Sequence, residues 1–390
     1  MSSETLSLKN SFNPSQLGLN SNITESVSSN VKTCYDLIVF CHLRWDFVYQ
    51  RPQHIFSRLS SDLKILFVEE PLLEPKKSNT LFEVNPNLHV FQPNISELNE
   101  LPYLLLKLFQ IDNKPIGWFY SPSFCKVLEG ISFSTIIYDC MDELSLFKGT
   151  PNQFIAQEIE LLNKAEVVYT GGKSLFEAKS ILHSNVYCFP SSVDIEHFSI
   201  TGNGIVIPTD LNSIPLPIIG YMGVLDERLD LELIENTASA LPECSFVFIG
   251  PIVKIKEDEL PRLSNIHYLG IKPYKELPFY LKRFDIAMLP FALNDSTKFS
   301  SPTKTLEYMA AGKPIISTEI TDVVRDYSHC VRFISNADGF VSQIKKLLGK
   351  KVRPVNHLYE LILKRTSWNN TVDQMKSIIT ETLAKSAKIE

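Results

Sequence analysis

Downstream of Asp36 the chain alternates two patterns: short, nearly continuous apolar runs, and longer stretches in which apolar positions recur every three or four residues. The first pattern marks strands buried on both faces, the second the helices that cover them. Strands are expected at 36–41, 63–68, 115–120, 134–139, 166–170 and 185–189, with helices at 51–61, 122–129, 151–164 and 173–182. In the first of these helices Pro52 suits the opening turn, and Ile55, Phe56 and Leu59 share one face. The segment TGNGIVIPTDLNSIPLP (201–217) breaks the rhythm with Gly, Asn, Pro and Ser and reads as a linker. Alternation then restarts, with strands at 218–222, 245–249, 266–269, 285–289 and 314–318 and helices at 229–240, 274–283 and 301–311. This predicts an α/β chain with two doubly wound parallel sheets, where ligands bind beyond the carboxyl ends of the strands. The expected domains are 34–200 and 218–366, with a disordered, Ser- and Asn-rich tail over 1–33 and a closing helix within 367–390.

The segment SSPTKTLEYMAAGKPIIST (300–318) carries the most specific local signal. Ser301 is placed to cap a helix, Pro302 fits its first position, Gly312 stops it and Pro314 prevents its resumption. The free N–H groups of such a helix start favour phosphate. Lys304 and Glu307, three apart, share a helical face. A cation near a phosphate site and a carboxylate one turn along suit a diphosphate joined to a ribose diol. The motif therefore points to a nucleotide-diphosphate donor.

Composition narrows the class. With 390 residues, 44% of them hydrophobic, the chain is long enough for two cores. A formal net charge of −6 gives no general attraction to nucleic acid. No apolar run approaches the roughly 20 residues needed to span a bilayer, and the amino-terminal segment has no secretory signal pattern. The seven cysteines lack CxxC spacing and read as reduced thiols, so a cytoplasmic enzyme is the expectation. Neither a GxSxG elbow nor a GxxxxGK[ST] loop occurs. The apolar segment LPYLLLKLF (101–109) reads as a core or interdomain helix, with a peripheral membrane contact as the alternative.

Six segments, in order, carry a family resemblance: WDFVYQRPQHIF (45–56), IIYDCMDE (136–143), FPSSVDIEHF (189–198), GYMGVLDERLDLELI (220–234), LPFALNDSTKFSSPTKTLEYMAAGKPIIST (289–318) and the region of Trp368. Together they resemble the retaining glycosyltransferases of family 4, closest to a bacterial branch acting on teichuronic-acid-type and other surface polysaccharides. The resemblance runs from about Asp36 to about Trp368. It implies the GT-B fold, two Rossmann-like domains facing each other across a cleft, with the closing helix crossing back to the first. It implies transfer of a hexosyl or deoxyhexosyl group from a nucleotide sugar, a UDP-sugar foremost, to a glycan, lipid-linked or small-molecule acceptor. Retention of configuration is implied, and neither cofactor nor metal is expected. Alternatives are a GT-B epimerase or phosphorylase-like enzyme and a catalytically silent nucleotide-sugar-binding partner subunit.

The resemblance also assigns residues. Glu307 would bind the ribose hydroxyls; eight positions earlier, where relatives usually carry another glutamate, this chain has Phe299. Ser300, Ser301 and Thr303 would share the donor contact, and Lys304 and Arg228 would neutralise the diphosphate, with a structural ion pair to Asp226 or Asp230 as the alternative for Arg228. Gly223 would admit close backbone approach, while Gly250 and Ile271, with Lys272 and Tyr274, would border the base. Asp139 and Asp142 stand where many relatives place a histidine near the transferred sugar, and would hold a hydroxyl or stabilise charge at the anomeric carbon; helix capping is the alternative for Asp142. His42, Trp45, Gln50 and Arg51 crowd the loop after the first strand and are expected to face acceptor or phosphate. Arg51 at a helix start conflicts with the helix dipole, which asks for an anionic partner.

Overall fold

The computed structural model describes residues 25–26, 31–71, 78–111, 113–199, 207–349 and 356–386. It divides into two compact units. The first runs to Gly171 and takes in Leu175–Phe189 and the chain from Val372 onward; the second comprises Gly172–Ser174 and Pro190–Thr371. The expected disordered tail falls outside the described residues over 1–24 and 27–30, and the expected linker does so over 201–206. Glu25–Ser26 and Val31–Cys34 are short strands, the second pairing with Phe109–Gln110, and Thr209–Asn212 forms a turn of helix.

The first unit is built on a nine-stranded sheet. Seven strands run parallel, in the order Leu88–Gln92, Ile65–Glu69, Leu37–Cys41, Ile116–Phe119, Thr135–Cys140, Val167–Thr170 and Val186–Cys188. Leu37–Cys41 and Ile65–Glu69 are buried at every position, as continuous apolar runs require. Thr80–Asn85 pairs antiparallel with Leu88–Gln92 on one side and with Glu25–Ser26 on the other, and neither Thr80–Asn85 nor Leu88–Gln92 was among the expected strands. None of the six residues of Thr80–Asn85 is buried. The segment 122–129 is a 3-10 rather than an α-helix, and helix Leu101–Leu108 buries Leu101, Leu105 and Leu108 while turning Tyr103 outward. The closing helix Trp368–Ser386 is fixed to this unit by Tyr169 Oη, which donates to the Met375 carbonyl at 3.3 Å, and by an ion pair from Lys376 to Asp62.

The second unit has six parallel strands: Ile266–Tyr268, Ser245–Ile249, Ile218–Met222, Ile286–Leu289, Ile315–Thr318 and Arg332–Ile334, in that spatial order. Counted along the chain this is 3-2-1-4-5-6, the doubly wound order whose direction of winding reverses between Ile218–Met222 and Ile286–Leu289. The helix expected at 301–311 spans only Lys304–Ala310. Ser301 does not cap it: its carbonyl accepts a bond from the Ser191 hydroxyl at 2.6 Å, and Pro302 begins a tighter turn through Thr305 N at 3.1 Å. The other end matches expectation. Gly312 takes φ 66, and Lys313 N returns to the Tyr308 carbonyl at 2.9 Å, closing a Schellman turn. Three helices beyond this point (Thr321–Tyr327, Ala337–Gly349 and Asn356–Leu363) complete the cover.

Gly220, central in the first strand of this unit, allows the Phe284 ring to lie against the backbone. A Cβ there would fall 2.0 Å from the ring. Since Phe284 is itself buried, it has nowhere to retreat. Gly220→Ala is expected to cost about 1–3 kcal/mol through overpacking. Gly349→Ala, where an added Cβ meets nothing within 4 Å, should cost little. Thermal unfolding followed by circular dichroism separates the two; equal melting temperatures would show that the ring can move aside.

Candidate functional site

The winding reversal in the second unit opens a crevice where the chain leaves two neighbouring strands, and backbone bonds join the two loops just beyond it. Asp230 N donates to the Pro290 carbonyl at 2.9 Å, and Ala292 N to the Arg228 carbonyl at 2.8 Å. Tyr308 on the Lys304–Ala310 helix accepts a bond from Met222 N at 2.9 Å, so that helix is docked on the same strand end. The sequence therefore places Gly223, Arg228, Lys304 and Glu307 around one point, though they are up to 84 positions apart.

Close approaches define that point. A Cβ on Gly223 would fall 2.9 Å from Lys304 Cε and 2.7 Å from the Tyr221 hydroxyl, so the missing side chain is what lets Lys304 lie over the loop. At Gly250 a Cβ would fall 1.9 Å from the Gly223 carbonyl oxygen, which fixes a glycine there as well. Gly250 N in turn donates to the Gly270 carbonyl at 2.9 Å, tying the three strand ends together just before Ile271.

Arg228 makes the ion pair that the sequence held as its alternative. Its Nε and Nη2 meet the Asp226 carboxylate at 2.9 and 2.7 Å, and its guanidinium lies 6.0 Å from the Phe291 ring centre. Asp226 is buried while the Arg228 side chain keeps 24% exposure, so the pair holds the guanidinium in place and leaves part of it open. Glu307 is buried. Desolvation raises its carboxyl above the ordinary range, against the opposing pull of Lys304. Both the Arg228 and Glu307 charges act on the Tyr221 phenol, which burial raises above its usual range. Ser300 is buried, and Ser301 and Thr303 are engaged by Ser191, the latter at 3.1 Å. Tyr274, expected to border a base, stacks on His197 with ring centres 4.2 Å apart, and Lys272 is paired with Asp210 at 2.7 Å.

In the first unit three assignments change. Arg51 and Asp139, expected to face phosphate and the transferred sugar, are both buried and bind each other, with Nη2 to Oδ1 at 2.9 Å. Arg51 Nη1 also donates to the Phe189 carbonyl at 2.8 Å. The anionic partner that the helix start asked for is thus an aspartate 88 positions away. Trp45 is core: it is 7% exposed, its ring is 5.0 Å from Phe67, and its backbone N–H donates to Glu69 Oε1 at 2.8 Å. Gln50 caps the helix Arg51–Leu59 reciprocally with Gln53. His42, Gln50 and Asp142 are half-buried at strand-end loops. Arg44 and Asp46 of the same loop join them, with Glu69, which was not singled out from sequence. Glu69 holds Arg44 at 2.8 Å, and beside it burial and the Glu69 charge push the Asp46 carboxyl up to about 6. The pair Glu69-Glu70, directly closing an apolar run, was the available signal.

Comparison with known proteins now has a geometry to meet. Residues 216–350, nearly all of the second sheet and its loops, match the family model described as glycosyl transferases group 1. TuaH of Bacillus subtilis (strain 168), named as a teichuronic acid biosynthesis glycosyltransferase, is 24% identical over 252 residues, 60% of this chain. That match spans 63% of TuaH's own length. Sucrose-phosphate synthase from Thermosynechococcus elongatus superposes with a TM-score of 0.68 at 13% identity, over 90% of this chain and 100% of that one. Anabaena HepE, solved in complex with UDP and glucose, does so with 0.64 at 11%, over 89% and 100%. The fold is GT-B, and residues 216–350 carry a glycosyl transferases group 1 domain. Within this GT-B fold the crevice described above lies inside the segment that the family model matches. Among the described residues no group of three or more His, Cys, Asp and Glu could hold a metal ion, and no helix is long and apolar enough to cross a membrane. All seven cysteines are free, four of them buried.

Two outcomes test these assignments. Asp139→Asn leaves the buried Arg51 without its counter-charge and should cost about 3–5 kcal/mol in stability. An unchanged melting temperature with lost turnover would instead return Asp139 to the chemistry. Glu307 works in the other direction. Its raised folded pKa means that the group's contribution to stability is full below the unfolded carboxyl value and is lost as pH rises through the folded value. Glu307→Gln should therefore raise the melting temperature at pH 8, with the gain vanishing at pH 4. A loss at both pH values would assign Glu307 a structural bond.

Proposed function

We propose that the chain transfers a glycosyl group from a nucleotide-diphosphate sugar, with the second unit holding the donor. The observation that carries this reading is the convergence of Gly223, Arg228, Lys304 and Glu307 at the winding reversal of a 3-2-1-4-5-6 sheet. In such a sheet that position binds the phosphates of a nucleotide. Lys304 and the open part of Arg228 supply positive charge to the diphosphate, and that charge matters most as the nucleoside diphosphate departs. Asp226 keeps the guanidinium aimed by its bidentate grip. Glu307 accepts hydrogen bonds from the ribose diol, and the bonds offset the cost of holding its carboxylate in a buried position. Gly250 and Ile271 border the base.

UDP is the proposed nucleotide, supported by HepE, whose structure contains UDP and glucose. A surface-polysaccharide or lipid-linked glycan is the proposed acceptor, supported by the teichuronic acid assignment of TuaH. His42, Gln50 and Asp142 of the first unit are proposed to receive it. The reaction is proposed to retain configuration, with the departing diphosphate assisting deprotonation of the acceptor hydroxyl. Arg228 and Lys304 then carry the charge stabilisation without a metal. Location in the cytoplasm, with peripheral contact at the membrane through the outward Tyr103 and Leu106, completes the reading.

Calorimetric titration with UDP, GDP and dTDP, followed by a hydrolysis screen of the corresponding sugars, tests it. Arg228→Ala and Glu307→Ala should each weaken binding of the preferred nucleotide about tenfold to a hundredfold, the loss of one or two bonds to a charged group. Absence of binding by any of the three, or equal binding by the variants, would overturn the donor site.

A further inference from the structure

Behind the loop that carries Asp142 lies a buried ionic group that the proposed chemistry does not use. Lys179, on the helix Lys173–Ser180, is buried and reaches two carboxylates: Glu158 of the helix Phe154–Lys164 at 2.7 Å and Glu143 of the loop at 2.8 Å. Tyr138, from the strand Thr135–Cys140, donates to the same Glu158 oxygen at 2.7 Å. Burial works against the Lys179 charge, yet the neighbouring Cys140, Glu158 and Glu143 hold the ammonium above the ordinary lysine range. One lysine thus gathers a strand, two helices and a loop.

The loop itself is a compact knot. Ser145 donates to the second Glu143 oxygen at 2.7 Å, and Thr150 Oγ1 to the carbonyls of Leu144 and Phe147 at 2.7 and 2.9 Å. At its start the Cys140 thiol donates to the Asp142 carbonyl at 3.5 Å. Gly171 closes over the preceding residue, since a Cβ there would lie 2.4 Å from the Met141 carbonyl oxygen. The sequence places Asp142 and Glu143 side by side, one in the proposed acceptor site and the other on the buried lysine. An apolar residue of similar volume would pack more cheaply than two carboxylates around one ammonium. What an ionic arrangement adds is a single permitted geometry.

We infer that Lys179 and Glu143 are positioning residues, a buried ionic tether that fixes the 141–150 loop so that Asp142 meets the acceptor in one orientation. This rests on the acceptor role proposed for Asp142. The tether acts through Asp142 and touches no substrate.

The informative variant is Glu143→Gln. It leaves Lys179 paired with Glu158, so the buried charges still balance, and it weakens only the link to the loop. Lys179→Met is the harsher companion, leaving two carboxylates facing each other. In the full-length chain, hydrogen exchange read by mass spectrometry should quicken about tenfold in peptides covering 141–150 for Glu143→Gln. With the preferred nucleotide sugar and p-nitrophenyl glycosides as acceptor probes, KM for the acceptor should rise about tenfold while the UDP Kd stays within about twofold. Glu143→Asp, which keeps the charge, should recover part of the loss. Unchanged exchange at 141–150 in Glu143→Gln would overturn the tether, and so would a parallel loss of acceptor KM, UDP affinity and melting temperature. Failure of the unaltered chain to bind UDP would defeat the donor reading instead, with the exchange measurement still deciding the tether.

Discussion

The second unit depends on a constraint of winding. When a parallel sheet grows outward in both directions from its first strand, the loops leaving the two central strands must part, and no helix can cover the gap between them. Here the gap lies beyond Met222 and Leu289. The chain closes its lower end with two backbone hydrogen bonds between Arg228–Asp230 and Pro290–Ala292 and with the Tyr308 hydroxyl on Met222. These bonds do not depend on a ligand. They fix the rims of the crevice, so Arg228 and Glu307 take their places without one. Fixed dipoles and charges of this kind do not have to reorganise during the reaction, which is where their value lies.

Buried charge meets an opposing charge in both units. In the second, Glu307 is desolvated against the pull of Lys304, and buried Asp226 is paired with Arg228. In the first, buried charges are matched inside the protein: Arg51 with Asp139, Lys179 with Glu158 and half-buried Glu143, and Glu69 with half-buried Arg44. A matched buried pair adds little net stability compared with apolar packing. Its consequence is register. Arg51 joins a helix start, the strand Thr135–Cys140 and the carbonyl of Phe189, the last residue before the chain enters the second unit.

Legibility in the sequence followed unbroken apolar runs. The observed spans Leu37–Cys41, Ile218–Met222 and Ser245–Ile249 lie on or within the expected ones. Leu88–Gln92 and Thr80–Asn85 were not expected, because polar residues interrupt both (His89 and Gln92 in the first, Glu83 and Asn85 in the second), although three of the five residues of Leu88–Gln92 are buried. The helix at Lys304 was mislocated at its start because Ser301 looks like a cap in isolation, whereas Ser191, 110 positions away, claims its carbonyl. The structure brings Gly223, Arg228, Lys304 and Glu307, which the residue types had singled out, close to one another. What the types could not give was whether Arg228 had a partner of its own.

The first unit was harder for a physical reason that also bears on function. A cation at a helix start is anomalous locally and admits two resolutions: an external anion or a distant carboxylate. Local sequence contains no term that chooses between them, because the choice is made by the register of two strands and a helix. The structure chooses Asp139, and with that choice the accessible polar groups of the region shift to the loops, to His42, Gln50 and Asp142. An acceptor would therefore be met by loop side chains whose positions depend on what anchors them. Backbone bonds fix the loops at the winding reversal of the second unit, whereas in the first unit side-chain charge pairs do that work for the loops after the strands.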